Sequence, residues 1–401
     1  MNKKSKYIKK IGFITTGHLS TNPRLVKEIT TAFENGIEGE VTFMQFLGFL
    51  TKHDDFLKQS ISGFSFNSVS WLTKSKLMKG IEKILHIVLR DFNSVFFHPF
   101  GYRLWKKAPS RVCCIIGHNL GTLPVISRLA KRDNIPFIFD LEDFHPGETM
   151  NENERNRRIR IMQHILPNAA HITYAAPLIG QKLVQLLGDR MPPATLINNN
   201  FPSIEFDPPQ PITGKVKFVW FSQTLSYGRG LELIIQTLAN YTNNVHLTLI
   251  GNAEATFIKR WVTPHSSFIE VIPPMTQLAL HHSLANYDVG LALELSDIDD
   301  NRPFCLTNKI WAYLQSGLYI MATDTPAQVQ FMDIHSSHGI IVQQNVTIMT
   351  KSVTYILENI AAIRNSSSVR YEVAKGFSWD VEKLKFLNLL SSAIAASNAE
   401  G

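Results

Sequence analysis

Four carboxylates and a histidine crowd one short stretch of this chain, Asp140-Leu141-Glu142-Asp143-Phe144-His145-Pro146-Gly147-Glu148. Like charges this close repel, so such a loop needs counter-charges or a task. Glu142, Asp143 and His145 are the residue types that perform acid/base work or hydrogen-bond the hydroxyls of a sugar. A solvated acidic loop paired with Arg155, Arg157 and Arg158 is the plain alternative. The spacing fits no standard ligand set, so no metal site is expected.

Two other stretches suit an anion. In Phe221-Ser222-Gln223-Thr224-Leu225-Ser226-Tyr227-Gly228-Arg229-Gly230, the side chains of Gln223, Thr224 and Ser226 are donors, and Arg229 stands where a helix begins. A helix N-terminus with an arginine suits a diphosphate; a simple turn is the other reading. Between Glu294 and Gly317, Thr307 or Asn308 can cap a helix whose first turn holds Lys309. A lysine there opposes the positive end of the helix dipole, a conflict that an anionic ligand would relieve, unless the lysine merely lies on the surface.

Near the start, Thr15-Thr16-Gly17-His18 leads into Asn22-Pro23, an N-cap followed by a favoured first helical residue. Gly17 lets a ligand approach the backbone, or the segment is an ordinary strand–helix turn. Its spacing is not Gly-x-Gly-x-x-Gly, so a dinucleotide site is not indicated. Gly117-His118-Asn119 follows the apolar run Val112–Ile116 as a second such loop, either facing a ligand or satisfied locally.

Residues 74–107 carry Lys74, Lys76, Lys79, Lys83, Arg90, Arg103, Lys106 and Lys107 against only Glu82 and Asp91. Leu77, Ile81, Ile84, Leu85 and Val88 fall on one helical face, and Trp71, Phe96, Phe97, Phe100 and Trp105 flank the stretch. Two readings stand: a helix that turns this face to the core, or one that lies on an anionic membrane surface. No nucleic-acid motif accompanies the charge.

Positioning these groups requires a strand–helix alternation, and the chain has one. Apolar runs at Ile11–Thr15, Val41–Phe46, Val112–Ile116, Pro136–Asp140, Ala170–Tyr174 and Thr195–Asn198 are separated by amphipathic stretches. The pattern resumes at Val216–Phe221, His246–Ile250, Phe268–Ile272, Val289–Leu293, Tyr319–Ala322 and Gly339–Val342. Alternation of this kind predicts parallel sheets covered on both faces. The proline-rich segment 201–214 reads as a linker between two Rossmann-like, doubly wound α/β domains, residues 1–200 and 215–380, facing across a cleft. The last helix, 381–396, is expected to pack back on the first domain. Ligands in such sheets bind beyond the carboxyl ends of the strands.

Composition agrees. Hydrophobic residues make up 44% of the 401 and charged ones 18%, which marks a globular chain and leaves room for two cores. Cys113, Cys114 and Cys305 form neither a disulfide framework nor a zinc spacing, which suits the reducing cytoplasm. The basic start is followed by too short an apolar run for a secretory signal. No window approaches the ~20 apolar residues of a spanning helix, so membrane contact would be peripheral.

With these residues in place, the sequence resembles the GT-B fold glycosyltransferases, in particular the retaining family 4 group. Thr15–Glu28 is similar to their opening strand, loop and helix start. Asp140–Glu148 resembles their Asp-x-His-Glu loop, with Glu142 and Asp143 where His and Glu would be. Arg229-Gly230, Gly251, Asp288-Val289-Gly290, Asn308-Lys309, Tyr313, Gly317 and Asp324-Thr325-Pro326 are similar to the donor half. The resemblance implies a nucleotide-diphosphate sugar bound by the second domain, a carbohydrate or lipid-linked acceptor bound by the first, no cofactor or required metal, and domain closure. It assigns Arg229 and Lys309 to the diphosphate, and Glu142, Asp143 and His145 to the sugar and acceptor. Gln223 stands where arginine is common, and Phe304 and Ala312 stand where the family has the glutamates of Glu-x7-Glu. The second of those glutamates usually contacts the ribose, a part Glu294 could take. A sugar-nucleotide epimerase and a non-catalytic binding subunit are the rival readings.

Overall fold

Strands buried on both faces must be apolar throughout, and the apolar runs do form the strands of two parallel sheets. The computed structural model describes residues 10–71, 76–89 and 94–399. The chain divides into two units, Met1–Ile197 with Lys383–Gly401 (unit 1) and Asn198–Glu382 (unit 2).

Unit 1 runs β1 (Lys10–Thr15), α1 (Pro23–Glu34), β2 (Glu38–Gln45), α2 (Gly48–Ser60), β3 (Phe64–Ser70), α3 (Lys76–Leu89), α4 (Gly101–Lys106), β4 (Cys114–His118), α5 (Leu123–Asp133), β5 (Phe137–Leu141), α6 (Glu152–Ile165), β6 (His171–Tyr174), α7 (Pro177–Leu187) and β7 (Ala194–Leu196). Its sheet has the order β3-β2-β1-β4-β5-β6-β7. The order reverses between β1 and β4, which pair from Ile11↔Cys114 to Thr15↔His118. A crevice at such a reversal is the usual ligand position in doubly wound sheets. Strand β3 was not among the apolar runs: Phe-Ser-Phe-Asn-Ser-Val-Ser is half polar, as suits the edge it occupies.

Unit 2 runs β8 (Val216–Leu225), α8 (Leu231–Leu238), β9 (Val245–Ala253), α9 (Ala255–Phe257), β10 (Ile269–Ile272), α10 (Gln277–Ser283), β11 (Val289–Ala292), α11 (Asn308–Gln315), β12 (Tyr319–Thr323), α12 (Pro326–Ile334), β13 (Gly339–Val342), α13 (Val346–Glu358), α14 (Ile360–Asn365) and α15 (Ser367–Ala374). Helix α16 (Trp379–Ala399) begins in unit 2 and ends in unit 1. The sheet order is β10-β9-β8-β11-β12-β13, with its reversal between β8 and β11. Phe218, Trp220, Leu247, Leu249, Leu291 and Met321 fill the core between sheet and helices.

The structure bears on two of these readings. Residues from Asn198 onward cluster with unit 2, and Phe201 is buried there. Its amide donates to Gln315 at 2.8 Å and its carbonyl accepts from Gln315 at 2.7 Å and from the Trp379 amide at 2.8 Å, so this end of the proline-rich segment is docked. The apolar face of α3 does not enter the core: Ile81, Ile84, Leu85 and Val88 are 43%, 62%, 41% and 57% exposed. Lys74 and Arg90 of the basic stretch lie outside the described residues.

Candidate functional site

The acidic stretch splits at the end of β5. Asp140 is a strand residue pointing inward and fully buried, and its charge is answered from α1. Asn22 caps that helix by accepting the Leu25 amide at 2.9 Å, Pro23 opens it, and Arg24 is thereby aimed into the unit. The guanidinium grips Asp140 with two parallel hydrogen bonds, Nε–Oδ2 at 2.8 Å and Nη2–Oδ1 at 2.7 Å, and donates to the Ile197 carbonyl at 2.7 Å. The anion at this helix start is therefore the chain's own aspartate.

His118 completes the cluster. It ends β4 rather than lying in a loop, and it is fully buried. Nε2 lies 3.0 Å from Glu28, and Nδ1 lies 3.3 Å from Asp140 and 3.8 Å from Glu142. Burial alone would lower its pKa, but Glu28, Asp140 and Glu142 outweigh burial and hold it well above the ordinary value. Burial pushes the Asp140 carboxyl up, yet Arg24 and His118 hold it far below the ordinary range. Ligand atoms of Glu28, His118 and Asp140 lie within 4.8 Å of one another, a spacing a metal could use. The Arg24 guanidinium already sits on two of these carboxylates, so the donor set does not suit a cation.

His18 is likewise internal. Its Nε2 accepts the Phe46 and Leu47 amides at 3.1 and 3.0 Å, which places the proton on Nδ1, bonded to Asp54 at 2.6 Å. It pins the β2–α2 turn to the end of β1 and presents no nitrogen to a ligand.

Beyond the β1/β4 reversal lies a cavity of about 560 Å³ within unit 1. Gly17, Asn119 and His145 line it together with His86, His98, Glu148, Arg157 and Arg158. Thr15 donates to the Asn119 side chain at 2.7 Å, which fixes that loop with a positive φ of 68°. His145 pairs through Nδ1 with Glu148 at 3.2 Å, and Arg158 holds Glu148 at 2.9 Å and the His145 carbonyl at 2.7 Å. Burial depresses the His145 pKa, but Glu148 and Asp143 raise it more, and the net shift is upward. His98 goes the other way: burial, with His86 and Arg157 nearby, lowers it to about 4. Donors and acceptors are mixed around this cavity, a pattern that suits sugar hydroxyls. Glu142 and Asp143 are half-buried beside it and do not line it. His98 and Glu148 were not singled out from the sequence. Glu148 closes the acidic stretch, and its place three residues after His145 was its available signal.

In unit 2 the strands flanking the reversal part early. Only Val289↔Phe218 and Gly290↔Val219 pair, while β8 continues along β9 to Leu225 with a register shift between Phe221 and Thr224. Gln223 and Thr224 thus lie on a bulged strand, not in a loop, and Gln223 is exposed. Gly251 serves the same bulge: a Cβ there would stand 2.2 Å from the Ser222 carbonyl oxygen, at φ +153°. Its place is explained by strand packing.

Helix α11 fills the parting. Tyr313 lies on Gly290, where a Cβ would meet the ring at 2.3 Å. One turn earlier Lys309 is buried, with its ammonium 5.4 Å from the Trp220 ring centroid and 3.2 Å from Glu294. Glu294 is itself buried, its amide donating to Thr323 at 2.9 Å. The Gly228–Gly230 turn closes on the same place. Arg302 donates to the Gly228 carbonyl at 3.2 Å, and a Cβ on Gly230 would meet Leu293 at 3.1 Å. Arg229 in this turn has no hydrogen-bond or ion-pair partner among the described residues. Asn308 accepts from Asn199 at 2.8 Å, which commits its oxygen internally. Ala312 is fully buried, and Phe304 is partly so.

No protein-family model and no curated protein sequence matches the chain. Solved structures do. The sucrose-phosphate synthase of Thermosynechococcus elongatus superposes with a TM-score of 0.66 at 14% identity, covering 97% of this chain and 100% of that one. HepE of Anabaena, in complex with UDP and glucose, gives 0.67 at 12% identity over 96% and 100%. A glycosyltransferase from Rickettsia africae gives 0.64 at 11% identity over 97% and 99%. Two parallel-sheet α/β units in this order constitute the GT-B fold, and this chain has the fold of those glycosyltransferases.

Proposed function

We propose that the chain is a glycosyltransferase that moves a sugar from a nucleotide-diphosphate donor, held by unit 2, to a carbohydrate or lipid-linked acceptor, held by unit 1. The reading includes retention of configuration and a cytoplasmic site of action, peripheral to the membrane's inner face, in polysaccharide assembly. The observation that carries it is the pair of cations at the unit 2 reversal: Arg229, with no partner among the described residues, and Lys309 beside Glu294. In the transfer, an acceptor oxygen bonds to the anomeric carbon while the bond from that carbon to the diphosphate oxygen breaks. The electron pair leaves on the diphosphate, and fixed cations there stabilise the developing charge. Side chains supply this charge, so the reading requires neither metal nor cofactor. The unit 1 cavity, with His145, Glu148 and Asn119, supplies mixed donors and acceptors for the acceptor's hydroxyls.

A panel of nucleoside diphosphates and nucleotide sugars tests this by melting temperature, since a ligand of the folded state raises it. Stabilisation by one nucleotide, with sugar released or transferred from its conjugate, is expected. A flat response to every nucleotide would overturn it. A non-catalytic binding subunit is the second reading, favoured by the buried Ala312 where the resembled family has a glutamate. Stabilisation without turnover would select it.

A further inference from the structure

We propose that the outer face of α3 is a docking surface for an anionic lipid bilayer, into which its apolar side chains insert. Ile81, Ile84, Leu85, Ile87 and Val88 on this one helix are each between 41% and 62% exposed. A contiguous apolar patch of this kind on a soluble surface ordinarily marks an interaction site. The helix is held from its other side: His86 Nδ1 bonds the Phe96 carbonyl at 2.8 Å. Its outer face is therefore presented by a tethered helix.

The surroundings identify the occupant. Lys83 is exposed on the same helix, one turn before Ile87, and Lys106 and Lys107 are exposed at the end of α4. Lys79 and Arg103 lie 5.8 and 4.8 Å from the Trp71 ring, and Lys106 lies 4.8 Å from that of Tyr102, which is itself 38% exposed. An apolar helical face with a basic, aromatic fringe matches the boundary between acyl chains and anionic headgroups. A second copy fits poorly, because a twofold interface would bring the same basic fringes together. His86 also lines the unit 1 cavity, so one helix carries both the docking face and part of the cavity wall. This rests on the proposed acceptor role of unit 1 and narrows it, since a docked α3 brings the cavity to acceptors that reside in the membrane.

The test is co-sedimentation of the full chain with vesicles of phosphatidylcholine containing phosphatidylglycerol, and of phosphatidylcholine alone, at low and high salt. Binding to the anionic vesicles, weakened by salt, is expected. Lys106→Ala with Lys107→Ala should weaken it roughly tenfold or more, at about fivefold per lysine. Ile84→Asp with Val88→Asp should weaken it by roughly tenfold or more, through lost insertion. Both pairs are exposed, so their melting temperatures should match the parent chain. Equal binding to both vesicles, or binding indifferent to the apolar pair, would overturn the proposal. So would a parent chain that is dimeric by light scattering and an Ile84→Asp variant that is monomeric. Nucleotide stabilisation without vesicles reads the donor site separately, so either result can fail while the other stands.

Discussion

Unit 1 gathers Arg24, Glu28, His118 and Asp140 behind its strand reversal and buries all of them, whereas unit 2 leaves Arg229 without a partner among the described residues and gives Lys309 one carboxylate. In the unit 1 cluster each of these charges has an internal answer, so the cluster holds the sheet ends and α1 together. The groups free to meet a ligand lie one layer further out, around the cavity. At the unit 2 reversal Lys309 and Arg302 are each paired with one carboxylate and Glu232 accepts the Gly228 amide, while Arg229 shows no partner among the described residues and is the cation left to meet an anion. On the proposed function, the same fold uses its reversal point as a structural lock in one unit and as an anion receptor in the other.

The sharpest way to break that contrast is Asp140→Asn. Arg24 would remain buried with its bidentate partner gone and only Glu28, at 3.7 Å, close by, and breaking one partner of a buried pair costs about 3–5 kcal/mol. Urea unfolding should show that loss, whereas removing charge from both partners, Arg24→Leu with Asp140→Leu, should recover much of it. A loss below about 1 kcal/mol for Asp140→Asn, the worth of a surface pair, would refute the lock. The pH dependence follows from the shifts. His118 is raised, so its contribution is complete below about pH 6.5, the ordinary histidine value, and disappears as pH rises through the folded-state value. Asp140 is depressed, so its contribution is complete above about pH 4 and is lost as pH falls through its folded value. His118→Gln should remove the alkaline decline and leave the acid one.

For the cavity, His145→Ala should lower turnover by about a hundredfold, a typical share for a positioned acid or base, with donor affinity kept. Asp143→Asn should lower turnover by less, since Asp143 does not line the cavity. The upward shift of His145 depends in part on Glu148, so Glu148→Gln should move the alkaline limb of the rate profile to lower pH. Unchanged rates in both His145→Ala and Asp143→Asn would return this loop to a surface role.

For unit 2, Arg229→Ala is the cleaner probe, because Lys309→Ala would also strand Glu294. A charge-assisted phosphate contact is worth ~1.5–3 kcal/mol, so calorimetry should show roughly ten- to hundredfold weaker nucleoside diphosphate binding. Equal affinity would remove Arg229 from the receptor.

The two regions also differ in how much of them the sequence disclosed. Runs such as Phe137–Leu141 or Tyr319–Thr323 are apolar because both faces are covered, and they read directly as strands. Strand β3 and the end of β8 alternate with Ser, Asn, Gln and Thr, and an edge or a bulge tolerates that, so they were not legible. Arg229 and Lys309 could be picked out because each conflicts with, or complements, a local helix end. The unit 1 lock could not, because its key contact joins residues 116 apart in sequence, and local pattern says nothing about such pairs. His18 looked like a loop ligand, and His118 was left open between a ligand-facing and a locally satisfied loop residue, for the same reason. On α3 the periodicity identified a face but not what that face meets.

The smallest effect expected concerns the ribose. The resembled glutamate would accept hydrogen bonds from both ribose hydroxyls, but Ala312 cannot accept any and is fully buried. Glu294 is the available carboxylate, yet it is buried and committed to Lys309 at 3.2 Å. Reaching a ribose would require it to leave that pair or to share it. A ribose hydroxyl would then find at most an ordinary hydrogen bond, worth about 0.5–1.5 kcal/mol. A ribonucleoside diphosphate should therefore bind no more than roughly tenfold tighter than its deoxy analogue. Glu294→Gln separates the two ways this can arise. If Glu294 serves the ribose, the substitution should narrow the ratio toward one; if it serves only Lys309, both nucleotides should change together. A discrimination of a hundredfold or more in the parent chain would mean that another group holds the ribose and that the unit 2 receptor is more complete than its two cations indicate.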